Sequence, residues 1–256
     1  MVYQRLDPEF INDPKGKIAV IALKAEKRLN VVDGNFLLDA SIELDRLIAD
    51  YEPRTVVLKG RTEWAFVGGA NLNVLRELDR ISARVFIQAV HQFCESIRRA
   101  EIPIIAMLQG YCLGAGLEIA AACDFRIGDY SVKCGMPEVR VGVPSVVEAA
   151  LLPPLIGWGK ARELMLRGNI ISAQESLKIG ILQHLVSSDL LHDFTIDICR
   201  ELLGSAPLAL KAQKELFLKW ENAGMDNAIE EGIKSFQAAY EGDEPERYIE
   251  SFFSKR

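Results

Sequence analysis

The sequence is poor in the residues that mark secreted, metal-binding or nucleic-acid-binding proteins. Its five cysteines are odd in number and form no CxxC pair, which argues against a disulfide framework or a zinc site and favours a reducing compartment. Its three histidines show no metal-ligand spacing. Acidic residues outnumber basic ones, 36 to 30, so the net charge is −6, and the basic surface that phosphates require is missing. We therefore expect neither a metal nor a nucleic-acid partner.

Long hydrophobic runs, leader-like segments and flexible linkers are also lacking. The apolar run Ile102–Leu108 is far too short to cross a bilayer, and the first eight residues have neither the basic nor the apolar region of a signal peptide. We expect a cytoplasmic protein with no membrane partner. What is present is an apolar fraction of 49% in 256 residues, enough for the core of one large domain.

The first two-thirds of the chain alternates β-like and helical patterns. Short runs rich in Val and Ile predict buried strands at Ile18–Leu23, Thr55–Gly60 and Pro103–Leu108. Helical periodicity covers Asn35–Asp50 and Ser82–Ala100. This alternation predicts an α/β core with mainly parallel strand pairing.

The last third has a different pattern. Amphipathic stretches separated by Gly, Pro or charged residues predict six helices, namely Lys160–Arg167, Ser172–Ile179, Leu190–Leu203, Pro207–Glu221, Met225–Tyr240 and Glu244–Phe253. We divide the chain into an α/β core, residues 1–157, and a C-terminal helical subdomain, residues 158–256, with a role in oligomerisation.

The most informative feature is a glycine-flanked helix start, Gly114 to Gly116, followed by two glutamates, Glu118 and Glu138. Such a start offers free backbone N–H groups and the positive end of a helix dipole to a developing oxyanion. Glu118 lies in an apolar helix, where a buried carboxylate costs several kcal/mol unless it is paired or functional. The third glycine position of a dinucleotide fingerprint is Ile119. The pattern indicates chemistry on a carbonyl compound.

The other candidates retain structural interpretations when taken alone. The pair Gly68-Gly69 is common in tight turns between a strand and a helix. Glu138, which follows a proline, is more typical of a solvated loop. Ser145 and Glu148 have the spacing of a capping box, which predicts that Ser145 closes a helix N-terminus and Glu148 reaches back.

Four segments together make the chain similar to the crotonase (enoyl-CoA hydratase/isomerase) superfamily over essentially its whole length. They are Lys27–Asn30, Phe66–Leu72, Gly110–Asp124 and Gly135–Glu138. The C-terminal stretch Glu250–Arg256 also resembles the last helix of that family. The resemblance implies a crotonase-like spiral of ββα units followed by a C-terminal helical subdomain.

The resemblance also implies roles for individual residues. The backbone N–H groups of Ala70 and Ala115 would form an oxyanion hole, Glu118 would activate the water that attacks Cβ, and Glu138 would deliver a proton to Cα. Coenzyme A, as part of an acyl-CoA thioester substrate rather than a separate cofactor, would be bound by Lys27, Arg28, Leu29, Gly69, Asn71, Leu72, Gly114 and Lys255, the last from a neighbouring subunit. The family also implies a homotrimer or a dimer of trimers.

Two departures from the family pattern affect the acyl site. Asn71 replaces the usual Asp, and Pro144–Leu151 replaces a glycine-rich stretch. Val146 and Val147 are therefore expected to fill space and reshape the acyl pocket, so the acyl group is left open.

The sequence thus favours an enoyl-CoA hydratase with two acidic residues. Another crotonase reaction is the nearest alternative, such as isomerisation, C–C hydrolysis or decarboxylation, since one enolate serves them all. A non-catalytic acyl-CoA-binding member is a second alternative. A serine hydrolase using Ser131 or Ser145 ranks last, because neither serine lies in a GxSxG elbow.

Overall fold

The strands of the protein form two sheets. The computed structural model describes residues 3–25 and 27–254. Within them, the strands are β1 (Leu6–Asp13), β2 (Gly16–Leu23), β3 (Thr55–Gly60), β4 (Ala65–Val67), β5 (Ile104–Leu108), β6 (Tyr111–Leu113), β7 (Phe125–Asp129), β8 (Lys133–Gly135), β9 (Ile170–Ser172) and β10 (His184–Val186). A six-stranded sheet has the order β1-β2-β3-β5-β7-β10, and a four-stranded sheet has the order β4-β6-β8-β9.

Helices cover the faces of these sheets. They are α1 (Gly34–Tyr51), α2 (Leu72–Arg76), α3 (Arg80–Arg99), α4 (Ala115–Ala122), α5 (Leu152–Arg167), α6 (Ala173–Lys178), α7 (Leu191–Leu203), α8 (Pro207–Asn222), α9 (Met225–Ala239) and α10 (Glu244–Ser254). Two 3₁₀ helices, Glu138–Val141 and Val147–Leu151, connect β8 to α5.

The core is built from a repeated unit of two strands and a helix. The pairs β3–β4, β5–β6 and β7–β8 each place their first strand in the large sheet and their second in the small one. Equivalent strands of successive units pair in parallel, and each pair is followed by helical structure. This is the spiral of ββα units that the resemblance implied, and the predicted fold class is confirmed.

The predicted strands and helices of the core are confirmed within one or two residues. β2, β3 and β5 are almost completely buried because helices cover both faces of the large sheet. Helix α1 begins after Asp33, whose carboxylate accepts a hydrogen bond from the Phe36 N–H at 2.8 Å. Helix α3 begins after Asp79, which forms a capping box with Ser82.

The first strand was not predicted from the pattern. β1 pairs antiparallel with β2 and forms one edge of the large sheet. It contains Pro8, a residue tolerated on edge strands because no neighbouring strand needs its missing N–H. Because a proline within a run usually argues against a strand, β1 was not recognised from the sequence.

All six predicted C-terminal helices are present, but α5 begins at Leu152 rather than Lys160 and is kinked at Gly157, whose φ of 78° and ψ of 148° are not helical. The last third also contributes two strands that the pattern did not reveal. β9 pairs antiparallel with β8, and β10 pairs in parallel with β7. Strands of three residues are too short to show an alternating pattern. The division at residue 157 remains a prediction. Throughout residues 3–25 and 27–254, no helix combines the length and the apolar character that a membrane crossing requires.

Candidate active site

A cavity of about 990 Å³ lies between the start of α4, the exposed face of α2 and α3, and the segment 137–146. Its wall is mainly apolar, with a few polar groups, the composition typical of small-molecule sites. All the predicted site residues line it except Arg28 and Lys255; those lining it are Lys27, Leu29, Gly69, Ala70, Asn71, Leu72, Gly114, Ala115, Glu118 and Glu138.

The two exceptions differ in kind. Arg28 places its guanidinium carbon 3.3 Å from the ring centroid of Trp64, a cation–π contact outside the cavity. Lys255 lies outside the described residues. Leu29 and Asn30 are anchored to the segment Phe66–Leu72: the Gly68 N–H donates to the Leu29 carbonyl at 2.8 Å, and the Asn30 side-chain amide donates to the Phe66 carbonyl at 2.5 Å.

Ala70 is held between two backbone hydrogen bonds that leave its own N–H unused. The Val32 N–H donates to the Gly69 carbonyl at 3.0 Å, and the Asn71 N–H donates to the Val32 carbonyl at 2.8 Å. Within the described chain the Ala70 N–H has no hydrogen-bond acceptor. The side chain of Asn71 accepts from the Asn73 N–H and caps α2, so it serves the fold locally.

Ala115 is the first residue of α4, and its N–H likewise has no acceptor in the part of the chain that the structure describes. The two loops are in contact: a Cβ added at Gly69, whose φ is +108°, would lie 3.3 Å from the Leu113 carbonyl oxygen. The tight approach brings the loop that carries Ala70 next to the start of α4. Ala70 and Ala115, whose N–H groups are both unpaired, therefore lie close together in the wall of one cavity.

Glu118 lies in the first turn of α4, as predicted, and is 4% exposed. The helix buries every residue from Ala115 to Ala120, because it packs on α3, on β4 and on the second 3₁₀ helix. One carboxylate oxygen accepts a hydrogen bond from the Ala149 N–H at 3.2 Å.

Glu138 begins the first 3₁₀ helix and is half-buried. The Ser145 hydroxyl donates to its Oε2 at 2.9 Å. The interpretation of Glu138 as a solvated loop residue, which its neighbours in sequence favoured, is therefore wrong. Its carboxylate lies in the cavity beside Gly114, the residue before α4.

The two carboxylates differ in their electrostatics. Burial, together with the negative charge of Glu138, raises the pKa of Glu118 to about 8, against a weaker lowering by the hydrogen bond from Ala149. Burial also raises the pKa of Glu138, while hydrogen bonds from its own N–H and from Ser145 lower it. A pKa of about 8 keeps Glu118 largely protonated near neutral pH in the free protein.

The predicted capping box at Ser145 and Glu148 is wrong. The second 3₁₀ helix starts after Val146 with no side-chain cap, and Ser145 bonds to Glu138 instead. Glu148 is 4% exposed, and its Oε1 accepts a hydrogen bond from His91 Nδ1 at 2.7 Å. A buried carboxylate is costly without a donor, and the half-exposed His91 supplies that donor to Glu148. No sequence spacing could have shown this contact across 57 residues.

His91 and Glu148 also lie close to Glu95, and their ligand atoms are all within 4.8 Å of one another. Arg98 and Arg99 already pair with the Glu95 carboxylate at 3.6 and 3.0 Å, so the cluster is balanced by its own side chains. That the protein needs no metal remains a prediction.

The two valines expected to reshape the acyl pocket occupy different places. Val146 lines the cavity. Val147 instead packs against the hydrophobic core, with a φ of +42°, a left-handed conformation that is unfavourable for a β-branched residue. Of these two valines, Val146 alone is placed to limit the length of an acyl chain.

Comparison with known proteins identifies the family. The family model described as enoyl-CoA hydratase/isomerase matches residues 13–256. The chain belongs to the enoyl-CoA hydratase/isomerase family. It is 28% identical over 247 residues to the short-chain-enoyl-CoA hydratase of Clostridium acetobutylicum, covering 96% of this chain and 95% of that protein. It is 26% identical over 257 residues to the crotonyl-CoA hydratase of Syntrophomonas wolfei, covering 100% and 97%.

Solved structures of this family have the same fold. An enoyl-CoA hydratase from Bacillus anthracis is similar with a TM-score of 0.91 and 25% identity, over 99% of this chain and 97% of that one. The similarity extends through α7 to α10, so the C-terminal helices are part of the family architecture. An enzyme of this family is the conclusion that fold and comparison support together.

Proposed function

We propose that this family member is an enoyl-CoA hydratase, which adds water across the double bond of a 2-enoyl-CoA. The observation that carries the proposal is the meeting of Glu118 and Glu138 in one cavity with two unpaired backbone N–H groups. The relatives named short-chain-enoyl-CoA hydratase and crotonyl-CoA hydratase support it. Coenzyme A enters as part of the substrate, and no separate cofactor is needed.

The N–H groups of Ala70 and Ala115 would hold the thioester oxygen as negative charge builds on it. One well-placed donor in such a site contributes about 3 to 4 kcal/mol to lowering the barrier. Both donors are backbone groups, so the side chains at these positions need carry no chemistry.

The two glutamates would carry out the proton transfers of hydration, one from the attacking water and one to Cα. In our assignment Glu118 activates the water and Glu138 delivers a proton to Cα, each contributing about 10²- to 10⁴-fold in rate. In the free protein, a pKa of about 8 keeps Glu118 largely protonated near neutral pH. Glu118 must therefore release its proton toward Glu138 when substrate and water bind, a transfer that two coupled carboxyl groups can make.

The test compares Glu118→Gln with Glu138→Gln. We expect both variants to bind a thioester and to lose about 100-fold or more of crotonyl-CoA hydration. In D₂O, exchange of the α-protons of butyryl-CoA should be lost in Glu138→Gln and retained in Glu118→Gln. The opposite pattern would reverse the two roles, and unchanged hydration in both variants would end the proposal.

The same enolate also serves double-bond isomerisation, the second activity in the family's description. Product analysis with 2-enoyl-CoA and 3-enoyl-CoA substrates separates the two reactions. Deuterium incorporation with double-bond migration and no hydroxyacyl product would establish isomerisation in place of hydration.

We also propose that the protein assembles as a homotrimer, alone or as a dimer of trimers. Helices α8, α9 and α10 leave large apolar side chains exposed, namely Phe217, Trp220, Ile229, Ile233, Phe236, Tyr240 and Phe253. An apolar surface of this extent is typical of an interface, and a second copy of the chain is the occupant. Light scattering should give a mass of three or six chains, and a monomer would contradict the proposal.

A further inference from the structure

Three arginines line the cavity without a carboxylate partner. Among the described residues no Asp or Glu forms an ion pair with Arg80, Arg84 or Arg140. The Arg140 guanidinium donates to the Arg167 carbonyl, from two nitrogens at 3.3 Å each. With Lys27, these arginines are the basic residues of the mainly apolar cavity wall, and Glu118 and Glu138 are its acidic ones.

The positions of Arg80 and Arg84 are not explained by helix stability. Both lie in the first two turns of α3, where the helix dipole is positive and a cation is unfavourable. The N-cap Asp79 uses its carboxylate to accept hydrogen bonds from Ile81 and Ser82. The two guanidinium groups are therefore left for a partner from outside the fold.

The cavity has an apolar stretch between its catalytic end and these arginines. Arg80, Arg84, Ile87 and Val90 line it from one face of α3. Val90 precedes His91, which contacts the carboxylate of Glu148 beside the Glu118 helix. At 1.5 Å per residue, Arg84 lies about 9 Å along the helix from Val90. A ligand that extends from Glu118 along α3 first meets apolar side chains and then a cationic end.

We infer that the cavity takes a 2-enoyl-CoA whose acyl chain ends in a carboxylate, bound by Arg84 with Arg80 beside it. The inference rests on the proposed function and names its substrate class. A guanidinium matches a carboxylate with two parallel hydrogen bonds. An acyl chain ending in a methyl group would place apolar atoms against the charged ends of these arginines and would be disfavoured.

A second source of the same anionic chemistry is coenzyme A itself, through its phosphates. The two sources are separable because every acyl-CoA carries the same phosphates, whereas only a dicarboxylic acyl chain carries the distal carboxylate. A loss of affinity shared by all acyl-CoA ligands assigns the arginines to the phosphates.

The experiment is a calorimetric titration with hexanoyl-CoA and adipoyl-CoA, which have equal numbers of acyl carbons and differ at the chain end. For the unaltered protein we expect about tenfold tighter binding of adipoyl-CoA, the gain typical of a charge-assisted hydrogen bond. Arg84→Gln should bring the ratio of the two dissociation constants close to one. Arg76→Gln, which removes an exposed arginine of α2 paired with Glu77 outside the cavity wall, should keep the tenfold ratio.

Two outcomes overturn the inference: equal or weaker binding of adipoyl-CoA by the unaltered protein, or an equal loss of both ligands in Arg84→Gln. Thermal melting confirms that each variant is folded. The titrations need no turnover, so hydration of hex-2-enoyl-CoA and hex-2-enedioyl-CoA is scored separately. Hydration without a chain-end preference refutes this inference alone, whereas a preference without hydration refutes the proposed reaction alone.

Discussion

The Glu138 carboxylate lies against Gly114 so closely that a side chain at position 114 would have to displace it. A Cβ added to Gly114 would lie 2.2 Å from Glu138 Oε1. Gly114 also has a φ of +52° and a ψ of −121°, a combination that L-residues rarely adopt. The glycine before α4 therefore both makes the turn and leaves room for the second carboxylate.

Gly114→Ala should displace the Glu138 carboxylate and strain the start of α4. We expect hydration to fall by about 100-fold or more and the free energy of unfolding to fall by about 1 to 3 kcal/mol. Steady-state kinetics with crotonyl-CoA and urea unfolding measure the two effects.

The matched control is Gly157→Ala, because Gly157 also has a positive φ, +78°, and no atom within 4 Å of an added Cβ. It should lose stability with little loss of kcat. Equal losses of kcat in both variants would mean that backbone strain, rather than the Glu138 contact, limits the reaction.

Glu118→Gln should make stability less dependent on pH. The pKa of Glu118 is raised by burial from 4.5 to about 8 in the folded protein. The stability that its protonation contributes is therefore fully present below pH 4.5, the unfolded pKa, and is lost as pH rises from there through 8. Relative to the unaltered protein, the glutamine variant should gain on the order of 3 to 5 kcal/mol between these limits. Urea unfolding at several pH values measures the gain.

Glu163→Gln is the control for this pH series. Hydrogen bonds and charge from Lys160 and Arg167 lower the pKa of Glu163, so it titrates below the window in which Glu118 acts. Its stability difference from the unaltered protein should stay constant from pH 5 upward. A flat difference for Glu118→Gln as well would show that Glu118 is ionised throughout.

The effects of substituting His91 and Glu148 on the free energy of unfolding should be strongly non-additive. His91→Ala leaves the buried Glu148 carboxylate without its donor, and we expect a loss of about 1 to 3 kcal/mol in the free energy of unfolding. Adding Glu148→Gln to His91→Ala should recover part of that loss, because a neutral amide is less costly to bury. A double-mutant cycle by urea unfolding measures the coupling; additive losses would mean that the hydrogen bond contributes nothing.

Val146→Ala should widen the acyl pocket, since Val146 lines the cavity. We expect kcat/KM for acyl chains one or two carbons longer to rise about 10-fold relative to crotonyl-CoA, the range that one methylene gives in an apolar pocket. Val147→Ala, whose side chain packs in the core, should lower stability and leave the chain-length ratio unchanged. A changed ratio in Val147→Ala alone would place the selectivity in the core.

The strands and helices that could be predicted are those with enough length to show a period. The apolar runs of β2, β3 and β5 and the long α1 and α3 were recognised within one or two residues. The three-residue strands β4, β6, β8, β9 and β10 were not, because pairing with neighbours rather than local pattern makes them strands.

In the candidate site too, features set by neighbouring residues were predictable and features set by distant residues were not. Burial of Glu118 follows from the apolar residues around it in α4, and its position in the first turn was predicted. The burial of Glu138 did not follow from its own neighbours, and neither did the pairing of Glu148 with His91. Glu138 depends on Gly114, which leaves room for its carboxylate, and Glu148 depends on His91, which supplies a hydrogen-bond donor.

Local composition thus determined which segments are buried, where the long elements begin and end, and that one helix carries an acid at its positive end. These properties depend on neighbours within a few residues, so a sequence contains them directly. The chain's folding into two sheets decided the rest: the contact of Glu138 with Gly114, the high pKa of Glu118 and the use of Ser145. Those properties depend on distances and solvent exclusion between segments, which arise when the ββα units pack together.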